Sequence, residues 1–236
     1  MLSETPPQTK QTERLTVLTA QSEQPKAFQS PAFLTAIFLV SVPVFIQAPL
    51  VRLQPWVSLS LTAVWILSGL FMLRQPTLKL WGDLAIGFSW TWLAGSLYWG
   101  WLRDNPYVHL PVEAIGLPIV IILISQSRLK VGSYFYLGSL LGTAITDLYF
   151  YWVDLIPYWQ QVMQVEPAAA GSVLNAALIH IENPIAAVRA LILLTALVVM
   201  GILSIRSTKV HWWAFSGAIL STILVDALFL AAAIFA

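Results

Sequence analysis

Seven long apolar runs, separated by short polar segments, constrain the fold of this sequence more than any other feature. A transmembrane helix needs about 20 predominantly apolar residues, with a range of roughly 17–25. Runs of about this length occupy residues 31–50, 57–73, 81–102, 111–126, 131–153, 184–205 and 212–236, the fourth being short. Only 10% of the 236 residues are charged, against about 25% in an ordinary soluble domain. The sequence therefore predicts an all-α integral membrane protein with about seven transmembrane helices.

The basic residues alternate along the chain in a way that predicts the orientation of these helices. Nine of the twelve lie in the amino-terminal segment or after the second, fourth and sixth runs: Lys10, Arg14, Lys26, Arg74, Lys79, Arg128, Lys130, Arg206 and Lys209. The other three are Arg52, Arg103 and Arg189. Loops rich in Lys and Arg stay on the cytoplasmic side. We therefore expect a cytoplasmic N-terminus and an exoplasmic or lumenal C-terminus.

The two ends of the chain differ sharply in composition. Residues 1–29 are polar, rich in Thr, Gln and Pro, and have no apolar stretch of the length that a signal peptide needs. Such a composition is typical of disorder. We expect residues 1–29 to form a disordered cytoplasmic tail and residues 30–236 to form a single transmembrane helical domain.

The connection formed by residues 154–183 is much longer than the others. In "PYWQQVMQVEP", Tyr158, Trp159 and Met163 fall on one helical face, and glutamines occupy the other. This pattern predicts a helix that lies on the outer membrane surface. "AAAGSVLNAALIHI" follows, and its length is typical of a re-entrant or buried segment. If residues 168–183 formed a full span instead, the C-terminus would be cytoplasmic.

Two segments share a pattern that ends in aspartate. "GSLLGTAITD" (138–147) and "GAILSTILVD" (217–226) align without gaps and pair Gly138 with Gly217 and Asp147 with Asp226. A weaker third copy fits the third run, where Ser96 takes the place of the aspartate. The alignment predicts parallel helix-hairpin repeats, an arrangement that is known in transport proteins. The alternative is a chance similarity between apolar helices.

Both aspartates lie within apolar runs, where each costs about 2.5–3.5 kcal/mol to insert at a helix centre. Counted at about 1.5 Å per residue from the cytoplasmic ends, Asp147, Arg189 and Asp226 fall in one layer in the outer half of the membrane. We expect these three side chains to form a cluster that faces the bundle interior. The remaining candidate ligand-binding residues share a helix face with an aspartate or could reach the cluster from the re-entrant segment: Thr143, Thr222 and Asn175.

Two interpretations of this layer stay open. The functional one is a polar pocket that opens to the outer face and binds a small solute or relays a proton. The structural one is an ion-pair network that only holds the helices together. For Arg189 a further alternative is that its side chain extends to the outer interface, because it lies near the end of its span.

Several function classes find no support in the sequence. The chain has no Cys, no glycine-rich phosphate loop and neither the HExxH nor the GxSxG motif, so we expect no metal site, no cofactor and no catalytic constellation. The net charge of +1 gives no basis for a nucleic-acid partner. His109 lies at a loop edge, outside the apolar runs. We expect Asp83 to cap its own helix, and the Ala32–Ala36 face to contact another subunit.

The tail, "FIQAPLVRLQPW" (45–56), the Trp-rich third run and "TDLYFYWVDLIPYWQQV" (146–162) together resemble an uncharacterised family of multi-pass membrane proteins from cyanobacteria. The resemblance implies a plasma or thylakoid membrane as the setting, and no mechanism. More loosely, the chain resembles the substrate-binding membrane subunits of vitamin importers. Those have six spans and two cytoplasmic ends, and this chain departs from both features.

The sequence thus favours a small-solute binding or transport subunit with a polar pocket in the outer half of the membrane. The alternative is an assembly or accessory factor of a photosynthetic membrane complex, which would dock through the tail and the aromatic third run. The lipid bilayer is the expected partner in both cases, and other membrane subunits are expected in the second. An enzyme is not favoured.

Overall fold

The computed structural model describes residues 8–235, with side chains from residue 29 onward except that of Pro167. The described chain is helical and contains no strand. Its α-helices are α1 Gln8–Leu53, α2 Pro55–Leu73, α3 Lys79–Leu97, α4 His109–Glu113, α5 Leu117–Ser125, α6 Lys130–Trp152, α7 Ile156–Gln164, α8 Ala170–Ile181, α9 Pro184–Ile205 and α10 Val210–Ile234. A π-helical turn, Tyr98–Leu102, extends α3, and 3-10 turns flank α4 at Pro106–Val108 and Ala114–Gly116.

Helix α1 includes most of the predicted tail. Its backbone is helical from Gln8, and its apolar part begins at Gln29. Residues 1–7 lie outside the described residues. Disorder of residues 1–29, and their separation from a transmembrane domain of residues 30–236, stay predictions.

Five helical segments of the described chain are long and apolar enough to cross a membrane: Gln29–Leu53, Pro55–Leu73, Pro106–Ser125, Pro184–Ile205 and Val210–Ile234. The all-helical class is therefore confirmed, and the five segments are consistent with a membrane protein. The count of seven is not confirmed, because α3 and α6 are not among them. Burial accounts for the composition of α3, because ten of its 19 residues are buried, against three of 19 in α2. Helices that face protein rather than lipid can hold more polar residues.

Four helices, α1, α3, α6 and α10, meet at the centre of the bundle. One apolar cluster joins them and consists of Ala36, Leu84, Phe88, Trp92, Phe135, Ala214 and Ala218. The aromatic side chains are supplied mainly by α3, where Phe88 and Trp92 pack edge-on against Trp65 of α2. The small residues of α1 and α10 let these backbones come close.

Helices α6 and α10 run parallel and in contact. A Cβ atom added at Gly138 would lie 3.0 Å from that of Ala218, and one added at Gly142 would collide with the hydroxyl of Thr222. One turn further along, Thr146 contacts Asp226. In the alignment of segments 138–147 and 217–226, each residue of α6 pairs with a residue of α10. The residue that it contacts in the structure lies one position further along α10. The repeat itself stays a prediction, because parallel packing does not require internal duplication.

Hydrogen bonds place the beginnings of α3, α6 and α10, and of the apolar part of α1, on one side of the bundle. The side chain of Gln29 donates to the carbonyl of Thr208, 2.7 Å away, which brings the start of the apolar part of α1 next to the α9–α10 turn. Asp83 accepts hydrogen bonds from the backbone N–H groups of Val131 at 3.0 Å and Gly132 at 2.8 Å. Asp83 therefore caps α6, and the prediction that it caps its own helix is wrong.

The close approach of α3 and α6 explains this cap. A Cβ atom at Gly87 would collide with the backbone of Gly132, and one at Gly132 would collide with the carbonyl oxygen of Asp83. Only with glycine at both positions can the carboxylate of α3 reach the free N–H groups that begin α6.

The Ala32–Ala36 face is not free to contact another subunit. Both alanines are fully buried, and a Cβ atom at Gly217 would lie 2.9 Å from that of Ala36. The small residues therefore bring α1 against α10 within the chain.

The long connection of residues 154–183 contains α7 and α8. Helix α8 has 12 residues, too few for a full span, which needs about 20. His180, near its end, lies 3.0 Å from the carbonyl oxygen of Val153 through Nε2. Helix α7 packs against α8 and against the Pro106–Val108 turn.

Candidate functional site

A buried imidazole–carboxylate pair is the most distinctive polar feature of the described chain. Asp147 of α6 is 3% exposed and His109 of α4 is 7% exposed. Nδ1 of His109 lies 2.8 Å from Oδ1 and 3.0 Å from Oδ2 of Asp147. An ionised carboxylate only accepts hydrogen bonds, so Nδ1 is the donor whenever Asp147 is ionised. The partner that makes a carboxylate tolerable at this depth is thus an imidazole.

A second carboxylate faces the other side of the same ring. Oε1 of Glu113 lies 3.8 Å from Nε2 of His109. The two residues are four apart in α4, so they share one helix face. The hydroxyl of Tyr136 donates to the backbone carbonyl of Glu113 at 2.7 Å, which fixes α4 against α6. The imidazole therefore lies between carboxylates from two different helices.

Aromatic rings enclose the imidazole. The ring centroids of Tyr98, Trp159 and Trp99 lie 4.3, 5.3 and 5.8 Å from that of His109. Tyr98 and Trp99 belong to the π-helical turn at the end of α3, and such turns occur frequently at functional sites. Trp159 comes from α7. The site thus combines two carboxylates with an apolar enclosure.

Asp226, the counterpart of Asp147 in α10, has a different partner. Its Oδ2 accepts a hydrogen bond from the hydroxyl of Thr146 at 2.8 Å. The hydroxyl of Thr222 is buried against Gly142 and donates to the carbonyl of Ala218 at 3.4 Å. Thr143 is half-buried, and its side chain makes no hydrogen bond to any described residue.

Arg189 does not join the two aspartates. Its guanidinium donates to the backbone carbonyl of Trp152 and lies 5.4 Å from the centroid of the Trp152 ring. The ion pairs of the described chain include none between Arg189 and Asp147 or Asp226. The expected Asp147–Arg189–Asp226 cluster is therefore not formed. The long side chain of Arg189 instead extends towards the end of α6, as expected of a cation near a helix end.

Asn175 is exposed on α8, and the hydrogen bonds of Asp147 and Asp226 within the described residues do not include it. Two crevices of the described chain lie elsewhere. One is between α3, α5 and α6 and contains Asp83, Trp90 and Ser133, and the other follows the outer face of α2 around Trp56. None of the six predicted ligand-binding residues lines them. Ligand binding by those six residues stays a prediction.

Ser96, the counterpart of the aspartates in the weaker third copy, also has a polar partner. Its hydroxyl accepts from Nε2 of Gln47 at 3.0 Å and lies 2.8 Å from the hydroxyl of Ser58. Nε1 of Trp92 donates to the carbonyl of Ser58 at 2.8 Å. This network joins α1, α2 and α3. Each of its four side chains makes a hydrogen bond, as expected of a contact that holds helices together.

Residues 36–234 match the model of a family described as protein of unknown function DUF3120. The chain belongs to the DUF3120 family. Neither the comparison with curated proteins nor the comparison with solved structures gives a match. His109, Glu113, Asp147 and Asp226 all lie within the region that defines DUF3120.

Sequence reasoning did not include His109 and Glu113 among the site residues of this DUF3120 protein. The fourth apolar run was taken to begin at residue 111, which left His109 in a loop. In the structure the apolar helical segment is Pro106–Ser125, so both residues lie inside it. A signal was available: "HLPVE" places an imidazole and a carboxylate four residues apart, on one helix face.

Among the described residues of this DUF3120 chain, no three His, Asp or Glu side chains are grouped so that they could hold a metal ion. The chemistry available to His109, Asp147 and Glu113 is proton transfer, because imidazole and carboxylate groups can each bind and release a proton.

Proposed function

We propose that this DUF3120 protein is a proton-coupled carrier, or a subunit of one, for a small solute. The observation that supports this most directly is the position of His109 between Asp147 and Glu113 within a helix bundle. Ionisable groups at membrane depth are costly, and they characterise proton relays and solute pathways. Structural ion pairs also occur at such depth, and a measurement of proton flux distinguishes a proton relay from a structural pair.

The geometry gives His109 a specific task. A neutral imidazole has one N–H donor and one acceptor nitrogen, so it can take up a proton at one nitrogen and release another from the opposite one. Here Nδ1 faces Asp147 at 2.8 Å, while Nε2 and Glu113 are 3.8 Å apart. The second separation exceeds hydrogen-bond length. A small change in the Glu113 side-chain conformation would close it and complete the path between the two carboxylates.

The proposal includes seven transmembrane helices, namely the five apolar segments together with α3 and α6, in a plasma or thylakoid membrane. It also places the N-terminus in the cytoplasm and the C-terminus on the exoplasmic or lumenal side. The Gln29–Thr208 and Asp83–Gly132 contacts support this, because they bring basic segments to one side of the bundle. In that orientation, His109 and Asp147 lie in the outer half of the membrane.

Reporter fusions test this topology. Fusions after Lys79, Lys130 and Lys209 are expected to report a cytoplasmic location, because the loops there are basic. Fusions after Asp104, Glu166 and Ala236 are expected to report an exoplasmic or lumenal location. A cytoplasmic signal from the fusion after Ala236 would contradict the seven-helix arrangement.

Proton flux tests the function. Purified protein is reconstituted in liposomes that contain a pH-sensitive dye, and a potassium diffusion potential drives protons inward. The assay is run with and without the dialysable small-molecule fraction of a cell extract outside. We expect wild-type vesicles to acidify faster than empty ones in at least one condition, and the His109→Asn variant to lose that excess.

His180→Asn is the matched control, because His180 is an exposed imidazole on α8 that lies outside the site. It should keep the wild-type rate. If wild-type and His109→Asn vesicles acidify at equal rates in both conditions, the carrier proposal is wrong. Co-purification of the same preparation with a large membrane complex would then favour an assembly or accessory factor, with residues 1–29 and the aromatic α3 as docking elements.

A further inference from the structure

Trp159 occupies a special position in the enclosure of His109. Its indole lies 5.3 Å from the imidazole, measured between centroids, and is stacked on Trp99 at 5.9 Å with an interplanar angle of 4°. It also packs edge-on against Tyr98 at 6.2 Å and against Phe150 at 5.4 Å. One side chain of α7 therefore contacts His109 and three of the surrounding aromatic residues.

The two ends of α7 differ in how deeply they are buried. At its beginning, Leu155 and Ile156 are buried, and Leu155 belongs to an apolar cluster with Val153 and Ala186. Beyond Trp159 the helix ends at Gln164, which is exposed, and the backbone becomes extended at Val165. A helix that is anchored at one end can move as a unit about that end.

The indole itself is not held by a hydrogen bond. Nε1 of Trp159 is buried and has no partner among the described residues. A buried donor without a partner costs free energy, which weakens the closed position relative to one in which the N–H group reaches water. Ring packing, together with the packing of α7 against α8 and the Pro106–Val108 turn, therefore keeps Trp159 over the imidazole.

We propose that Trp159 is the outer gate of the His109 site, and that movement of α7 about its anchored beginning opens and closes it. The inference rests on the proposed proton-coupled function. In the closed position the rings of Tyr98, Trp99 and Trp159 separate the imidazole from the outer water. An ordered water needs two to four polar partners, and these rings offer almost none. A proton path through water is therefore interrupted until Trp159 moves away.

Chemical access to His109 tests the gate without any assay of transport. The full-length protein with His180→Gln and His211→Gln keeps His109 as its one histidine, because the chain has three. Diethyl pyrocarbonate modifies accessible imidazoles, and mass spectrometry measures the rate at His109. We expect slow modification in this background and a rate roughly tenfold higher after Trp159→Ala, because the variant removes the covering ring.

Trp152→Ala is the matched control. Trp152 is also an aromatic residue at the outer end of the bundle, it is 41% exposed, and it makes no ring contact with His109. Trp159→Phe keeps a smaller ring and should give an intermediate rate, so it serves as the test if Trp159→Ala fails to fold. An unchanged rate in the folded Trp159 variants, or an equal rise in Trp152→Ala, would overturn the gate.

This result is separable from the proposed function. If His109 becomes accessible in Trp159→Ala while wild-type vesicles show no proton flux, the gate stands and the carrier proposal fails. If wild-type vesicles show flux and access to His109 does not depend on Trp159, the gate alone fails.

Discussion

Helices α6 and α10 hold the same sequence pattern, lie side by side and run in the same direction, yet their aspartates have different surroundings. Asp147 faces the imidazole of His109, whereas Asp226 accepts a hydrogen bond from the hydroxyl of Thr146. The difference comes from the neighbours. Helix α6 packs against α4, which supplies the imidazole, and the residues that follow Asp226 in α10 are largely exposed. The shared sequence pattern determines where each carboxylate lies in its helix. The neighbouring helix determines which group the carboxylate contacts.

The largest expected effect is the loss of the imidazole. His109→Ala leaves the carboxylate of Asp147 buried without its partner, and breaking a buried pair in this way costs about 3–5 kcal/mol. We expect a corresponding drop in the free energy of unfolding, measured by titration of mixed micelles with a denaturing detergent. Adding Asp147→Asn should recover much of the loss, since the remaining group is then neutral. A double variant as unstable as the single one would show that His109 is important for packing rather than for pairing.

A smaller effect is expected from the contact that holds the two helices together. Gly142→Ala places a Cβ atom against the hydroxyl of Thr222, and overpacking of this kind typically costs about 1–3 kcal/mol. Gly100→Ala is the control, because its Cβ atom would meet only a side-chain carbon of Pro55, at 3.3 Å. Equal stability of the two variants, in the same detergent titration, would contradict the close approach of α6 and α10.

Asp226→Asn should be milder still. The amide oxygen can still accept from Thr146, so the variant replaces one kind of hydrogen bond by another, and the change is expected to be within about 0.5–1.5 kcal/mol. Thermal unfolding, followed through the fluorescence of the tryptophans, measures it. A loss as large as that of His109→Ala would mean that Asp226 also belongs to a buried ion pair, and the contrast between the two helices would disappear.

The smallest effect is expected for Arg189→Ala. The variant loses one hydrogen bond and one cation–π contact near the beginning of α9, together worth about 1 kcal/mol or less at a partly exposed position. A decrease of several kcal/mol in the free energy of unfolding, in the same thermal assay, would instead support a cluster of Arg189 with the two aspartates.

Much of this architecture could be predicted from the sequence, because apolar length and the placement of charges are local signals. The all-helical class depends on such signals, and so does the expected depth of Asp147 and Asp226 in the membrane, which stays a prediction. The partners of the aspartates do not. His109 is 38 residues away from Asp147 along the chain and was separated from it by an uncertain helix start. A shift of five residues, from 111 to Pro106, moves it from a loop into the bundle.

The contacts of Arg189 and Asp83 also depend on more than local sequence signals. Depth along a helix placed Arg189 in the layer of the aspartates, but depth says nothing about the direction in which a long side chain extends. Asp83 caps α6 and not its own helix, because Gly87 and Gly132 bring a second helix within reach. Contacts between helices depend on packing, which a single sequence specifies only indirectly.

The central claim is that the carboxylate of α6 handles protons while its counterpart in α10 holds helices together. Proton flux into liposomes, compared between folded Asp147→Asn and Asp226→Asn variants under one imposed potential, tests it most directly. The account predicts that Asp147→Asn abolishes the flux above that of empty vesicles, and that Asp226→Asn keeps most of it. Equal loss in both variants, or loss in Asp226→Asn alone, would contradict the account.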